Sequence, residues 1–368
     1  MSGTFAVVTG GGTAGHVIPA LAVAEALVAA GHPAEDIHYV GAQRGVEVDM
    51  VPPTGFSCTF LDVVGLQRRM SRRNLSFVPR LIRACRHAVV LLRRLEPRVV
   101  VNLGGYASFP ATFAAWRLGI PYVVVSYDRR PGLVSRIVAR RAAACAVAFE
   151  TSDLPRSEYT GAPVRRAIVE VDRVTGRAAA RAQLGLPDDR FVVAVVCGSL
   201  GAGTVNAVVE EVTDRLAARR DLAVYHVVGE RFRACAAPER DGSSGILYRV
   251  IGFEPRMPLV YAAADLFITR AGAGTIAELA AVGAPAIVVP WPGAAANHQV
   301  DNAQVLSSIG AAILLEEADL SADRLTAEIT SLVADPVRLS AIASSAREAG
   351  TAHRSRRLVS LVERVATR

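Results

Sequence analysis

Residues 7–27 read VVTGGGTAGHVIPALAVAEAL. Val7 and Val8 are β-branched, Gly10, Gly11, Gly12 and Gly15 follow at once, and an alanine- and leucine-rich stretch of helical length comes next. That order predicts a strand, a tight glycine turn and a helix. Working outward, short β-branched runs recur as DIHYVGA, RVVVNLGG and PYVVVSYD, and later as FVVAVVCGSLGAG, AVYHVVGE, LYRVIGF, DLFITRAGAG and PAIVVPWPG, with helical segments between most of them. Continuous apolar strands alternating with helices imply parallel sheets covered on both faces. The glycine turn at Gly10 returns at Gly198, so two similar doubly wound α/β halves are expected. The stretch PVRRAIVEVDRVTGRAAARAQLGLPDD lacks strand character and marks the boundary between Val164 and Asp189. Ligands of such sheets bind beyond the carboxyl ends of the strands, and two sheets are expected to face each other across a cleft.

Composition narrows the class. The 368 residues are 51% hydrophobic and 20% charged, which suits a folded protein of two domains. All 41 basic residues are arginine, whose planar fork suits phosphate recognition. Between Leu61 and Arg166 arginines outnumber acids by 13, so the first half carries the positive field. Nucleic acid, an anionic membrane or a phosphorylated substrate each fits that charge, but no nucleic-acid module is recognisable and aromatic residues are few. The five cysteines lack C-x-x-C spacing, arguing against a zinc site or disulfide framework. The apolar run Phe5 to Val8 breaks into glycine and no stretch reaches the ~18 apolar residues of a spanning helix, so a cytoplasmic protein is expected.

Gly10, Gly12 and Gly15 match G-x-G-x-x-G, but the second strand ends in Gly41-Ala42-Gln43, without the acid that a nicotinamide dinucleotide requires. The general physics remains: glycine lets backbone N–H groups approach an anion, and a helix N-terminus favours negative charge. GGYASFP from Gly104 and GSLGAG from Gly198 are further turns of this kind. Three phosphate-competent turns suit a ligand with two phosphorylated ends or two phosphorylated ligands, a first sign of a donor and an acceptor. His16, at the helix start, is either a proton acceptor for a bound hydroxyl or a hydrogen-bonded turn residue.

Together GGGTAGHVIPALAVAEAL, GGYASFP, GSLGAG, TGAPVR and RAGAGTIAELAAVGAPAIVVPWPGAAANHQVDNAQVL resemble the MurG family of UDP-N-acetylglucosamine transferases, which convert lipid I to lipid II in peptidoglycan synthesis. The likeness covers nearly the whole chain. It implies a GT-B architecture, with residues 1–164 plus about 351–368 as the acceptor domain and 165–350 as the UDP-sugar domain. It further implies inverting transfer of GlcNAc from UDP-GlcNAc to the C4 hydroxyl of the muramyl sugar of an undecaprenyl-diphosphate-linked acceptor. The alternative is a GT-B enzyme acting on another lipid or a secondary metabolite.

The resemblance assigns His16 to base catalysis or acceptor binding. It sets Gly12, Thr13 and Gly15 near the donor sugar and the diphosphates, and Gly104, Gly105 and Tyr106 against the acceptor. Arg165 and Ser199 then meet the UDP diphosphate, Gly252 borders the donor, Glu278 holds the ribose, and Gln299 and Asn302 bind the GlcNAc hydroxyls. Two bland readings stand beside these: Thr275-Ile276-Ala277-Glu278 spells a capping box, and Gln299 with Asn302 can form a solvated helix face. His298 is a second-rank candidate between site and core. No D-x-D string occurs, and neither a metal nor a cofactor is expected.

The chain departs from the family where H-E-Q-N is usual: it reads Val125-Ser126-Tyr127-Asp128, followed by Arg129 and Arg130. Asp128 is therefore a rival base, a sign of a different acceptor, or a variation without consequence. Leu200 replaces the usual glutamine of the third turn. From Ser71 to Pro97, Val78, Leu81, Ile82, Cys85, Val89 and Leu92 recur at helical intervals among Arg80, Arg83, Arg86, Arg93 and Arg94. Such a helix either packs on its own sheet or rests on an anionic membrane surface, at the cytoplasmic face, as a lipid-anchored acceptor requires.

Overall fold

A computed structural model describes residues 3–65, 77–198, 200–294 and 297–367. The chain divides into one unit of Met1–Arg166 with Ala352–Arg368 and a second of Ala167–Thr351. In the first, strands β1 (Ala6–Thr9), β2 (Ile37–Ala42), β3 (Ser57–Leu61), β4 (Val99–Asn102), β5 (Tyr122–Ser126), β6 (Ala144–Val147) and β7 (Ser157–Tyr159) form one sheet. Its order is β3-β2-β1-β4-β5-β6-β7 and every pairing is parallel. Helices α1 (Ala14–Ala29), α2 (Glu47–Met50), α3 (Phe77–Leu95), α4 (Phe109–Leu118) and α5 (Leu133–Ala139) connect the strands. Strands such as Val99–Asn102 and Tyr122–Ser126 are buried throughout, which is why they read as unbroken apolar runs rather than alternating ones.

The second unit begins with α6 (Arg166–Val169) and α7 (Arg177–Leu184), then carries β8 (Phe191–Val196), α8 (Gly203–Arg215), β9 (Leu222–Val227), β10 (Arg240–Asp241), β11 (Leu247–Ile251), α9 (Met257–Ala263), β12 (Leu266–Thr269), α10 (Ala273–Val282), β13 (Ala286–Val288), α11 (His298–Ser307), β14 (Ile313–Leu314), α12 (Ala322–Ala334) and α13 (Pro336–Ala349). Its sheet runs β10-β11-β9-β8-β12-β13-β14, antiparallel only between β10 and β11. The charged stretch after Arg166 is anchored rather than free. Arg181 on α7 is fully buried, donating to Asp265 Oδ2 at 2.7 Å and to the carbonyls of Ala263, Pro187, Asp188 and Arg190.

The last helix, α14 (Arg357–Ala366), belongs to the first unit, where Leu358, Val359, Leu361, Val362 and Val365 are buried. His353 Nδ1 accepts from Ala162 N at 2.9 Å, and His32 pairs with Glu363 at 3.0 Å.

Two buried histidines make stability fall in acid. His226 lies between Tyr248 Oη at 2.9 Å and Asn206 Oδ1 at 3.1 Å, and burial holds its pKa down to about 3. Burial, with Arg94 nearby, holds His38 down to about 4. Both fold as neutral rings, so their contribution is complete above the unfolded value of about 6.5 and is lost as the pH falls below it. By pH 4 each costs about 3 kcal/mol at 1.36 kcal/mol per unit. Urea unfolding of His226→Asn should accordingly show a stability slope between pH 6.5 and 4 shallower by nearly one proton.

Candidate functional site

The first sheet changes direction between β1 and β4, and the loops after those strands leave the same edge; open parallel sheets bind ligands at such a point. After β4, Gly104 and Gly105 adopt φ of 84° and 76°. A β-carbon on Gly105 would lie 2.3 Å from the Gly11 carbonyl oxygen, so only glycine lets the two turns meet. Buried Asn102 holds the second turn, accepting from Gly104 N at 2.7 Å and donating to Thr112 Oγ1 at 2.5 Å. The Tyr106 ring covers Gly12, where a β-carbon would stand 2.5 Å from Cε1.

His16, Gly104, Gly105, Tyr106, Asp128 and Ser135 line a cavity of about 240 Å³ within this unit. His16 is half-buried at the start of α1, with Nδ1 3.1 Å from Thr13 Oγ1 and its backbone N–H donated to Thr13 O at 3.0 Å. In the tautomer whose Nδ1–H donates to Thr13, Nε2 carries the lone pair. That atom lies 3.6 Å from where a Gly104 β-carbon would stand, on the cavity side. Burial lowers the His16 pKa, against the opposing pull of Asp128 and Glu47. The ring is therefore neutral near pH 7 and able to accept a proton.

Two residues to which the sequence assigns no role build this wall. Glu47, on α2, is fully buried; its oxygens accept from Gly12 N at 3.0 and 3.1 Å and from Ala42 N at 2.8 Å. This corrects the reading of the first turn as a plain phosphate cradle, because the Gly12 N–H is already committed to an internal carboxylate. Nothing in the local run GAQRGVEVDM separates Glu47 from Asp49, so only the fold picks it out. The second is Tyr127. Pro19 sits inside α1 and has no N–H to give to the carbonyl four residues back, Gly15. The Tyr127 hydroxyl donates to that oxygen at 2.7 Å and shares a longer contact with Leu103 O at 3.3 Å. Tyr127→Phe should cost about 1–3 kcal/mol in urea unfolding. Pro19→Ala, which returns an N–H to the ladder, should recover much of that loss in the double variant.

In the second unit the sheet changes direction between β8 and β12. Ser199 of the loop after β8 lies outside the described residues, while Leu200 is exposed. The capping-box reading of Thr275 to Glu278 is overturned. Helix α10 already starts at Ala273 with Gly272 as N-cap, so Glu278 stands too far inside to cap. Its Oε2 instead accepts from the Tyr261 hydroxyl at 3.0 Å. Nor do Gln299 and Asn302 form a solvated face. Gln299 Oε1 accepts from Trp291 N at 2.9 Å, and fully buried Asn302 donates to Ala271 O at 3.4 Å, tying α11 to the loop that leads into α10. His298 is half-buried at the start of α11. Gly252 lies against Glu230, where a β-carbon would meet Oε2 at 2.3 Å. Arg165 lies in the first unit, half-buried and next to Arg166, whose N–H donates to Glu25 at 3.3 Å.

The arginine-rich helix falls between its two readings. Residues 71–76 lie outside the described residues. On α3, Ala84, Cys85, Ala88, Leu91 and Leu92 are buried, whereas Val78, Ile82 and Val90 are 58%, 49% and 65% exposed. Only part of the apolar stripe is therefore core. The rest opens on a groove of about 700 Å³ beside α4, floored by Leu81, Phe109 and Phe113 and edged by Arg86, Arg93 and Arg117. Trp116, with the Arg141 guanidinium 4.3 Å over its ring, is also exposed. Among the described residues no helix is long and apolar enough to cross a membrane.

Residues 6–147 match the glycosyltransferase family 28 N-terminal domain and residues 192–358 its C-terminal domain. A Clavibacter michiganensis subsp. michiganensis protein is 38% identical over 98% of this chain and 96% of its own length, and a Nocardioides sp. protein 40% identical over 92% of each. Both are named UDP-N-acetylglucosamine–N-acetylmuramyl-(pentapeptide) pyrophosphoryl-undecaprenol N-acetylglucosamine transferase. The crystal structure of Acinetobacter baumannii MurG superposes with a TM-score of 0.73 at 24% identity over 99% of each chain, in agreement with a two-domain GT-B fold.

Proposed function

This chain belongs to glycosyltransferase family 28, in its MurG branch, and from that premise we propose the reaction and the work of each residue. It transfers GlcNAc from UDP-GlcNAc to the C4 hydroxyl of the muramyl sugar of lipid I, giving lipid II. The observation that carries this is kinship at 38–40% identity along nearly the whole chain.

In the step itself, the acceptor oxygen forms a bond to the sugar C1 on the face opposite the leaving group. The bond from C1 to the diphosphate oxygen breaks, its electron pair leaves with UDP, and the hydroxyl proton passes to His16 Nε2. Thr13 Oγ1 pairs with Nδ1; with the proton on Nδ1, Nε2 carries the lone pair, and the neutral state favoured by burial leaves it available. The turn of Gly104, Gly105 and Tyr106 offers a wall for the acceptor sugar. On the donor side Glu278 receives the ribose hydroxyls, Gln299 meets the GlcNAc hydroxyls while fully buried Asn302 anchors α11 behind it, and Gly252 borders the nucleotide. Arg165 and Ser199 are assigned to the charge that grows on the departing diphosphate, and Gly12 and Gly15 shape the first unit's glycine turn. Radiolabelled transfer from UDP-GlcNAc to a soluble-tailed lipid I analogue tests the reaction, with UDP-GalNAc as competitor. Binding of UDP-GlcNAc without transfer would turn attention to another acceptor.

The open face of α3 and α4 supports peripheral contact with an anionic leaflet at the cytoplasmic face. Each basic residue near such a surface is worth about 1 kcal/mol, so Arg86→Ala with Arg93→Ala should weaken binding to phosphatidylglycerol vesicles about 30-fold. Transfer to a soluble acceptor should be left unchanged. Equal sedimentation of both proteins with the vesicles would remove this face from the contact.

A further inference from the structure

Glu47 is fully buried, and the chain around it is shaped to admit it. A β-carbon would stand 2.3 Å from its carboxylate at Gly11 and 1.9 Å at Gly45, and would meet its side chain at 2.9 Å at Gly41. Three hydrogen bonds from the amides of Gly12 and Ala42 hold the group with no cation as partner among the contacts described. The clamped Gly12 amide is one residue from Thr13. Thr13 in turn fixes His16 twice, through its carbonyl to His16 N–H at 3.0 Å and through Oγ1 to Nδ1 at 3.1 Å.

We propose that Glu47 is a positioning residue for the His16 base: through the Gly12 amide it clamps the first glycine turn, and so holds Thr13 and the imidazole that Thr13 fixes. The proposal rests on the proton-accepting role of His16. The proton leaves the acceptor hydroxyl and stays on Nε2. The charges acting on the imidazole are Asp128, from the loop after β5, and Glu47, from α2, both favouring its protonated form, while the Tyr127 ring lies edge-on at 6.4 Å. Removing Glu47's charge therefore makes His16 a weaker base. A purely structural clamp would have no such effect.

The experiment compares the full-length wild-type chain with Glu47→Gln and Glu47→Asp, reading kcat and donor KM against pH and the His16 imidazole titration by NMR. For Glu47→Gln, kcat should fall about 10- to 100-fold, as for a misplaced catalytic group, with donor KM within about twofold. The acid limb of the kcat profile and the His16 midpoint should both move to lower pH. Glu47→Asp keeps the charge and should hold both at their wild-type positions while kcat falls about 3- to 10-fold. Wild-type kcat in the glutamine variant, or equal losses in both variants with an unmoved His16 midpoint, would overturn the proposal. If the glutamine variant does not fold, the aspartate variant decides, and wild-type kcat there would overturn it. Absence of transfer by the wild-type protein would instead refute the proposed reaction, and the NMR midpoint would still test the coupling of Glu47 to His16.

Discussion

His16→Ala is expected to lower kcat for GlcNAc transfer by about 10²- to 10⁴-fold, the span over which a positioned general base acts. Donor KM should change little, because the residues assigned to UDP-GlcNAc hydroxyls stand on α10 and α11 of the second unit. The matching experiment is Asp128→Asn. Asp128 raises the proton affinity of His16 from across the cavity, so its neutral replacement should weaken the base modestly and move the acid limb of the rate profile to lower pH. A collapse of kcat in Asp128→Asn beside a mild loss in His16→Ala would instead make Asp128 the base. His16→Gln adds a geometric control: its amide can still reach Thr13 but presents no comparably basic nitrogen.

Glu278→Ala should raise the apparent KM for UDP-GlcNAc about 10- to 150-fold, the equivalent of the 1.5–3 kcal/mol carried by hydrogen bonds to a charged group. With the donor saturating, kcat should return close to wild type, because the ribose is remote from the bond being broken. Tyr261→Phe separates two roles of the same carboxylate. The Tyr261 hydroxyl donates to Glu278 Oε2, so losing it loosens the side chain without removing its charge and should raise KM by less. An unchanged KM in Glu278→Ala would leave the carboxylate with only its packing role beside Tyr261.

The site was partly legible from local pattern. Glycines after a strand announced the first turn, and His16 followed from its position at the mouth of that turn and from family resemblance. The same local habit misled at Thr275: T-x-x-E suits a helix start, but burial of Ala273, Ile276 and Ala277 continues the helix back to Gly272. Gln299 and Asn302 share a helix, yet packing of α11 on the loop before α10 hides Asn302 completely. The α3 stripe was correct as periodicity and incomplete as packing, since a helix with apolar residues over a wide arc can bury only the part that its neighbour covers.

By itself the sequence determined two doubly wound halves, the turns that end their first strands, and membership of a glycosyltransferase family. Dihedral preference and the periodicity of burial act over a few residues and leave their mark in composition. Only the tertiary structure decided what each turn is bonded to. Glu47 reaches Gly12 across 35 positions, and Tyr127 completes the α1 ladder at Gly15 across 112. Those partners meet because parallel strands β1, β2, β4 and β5 deliver their loops to one edge of the sheet, where buried donors and acceptors must find one another.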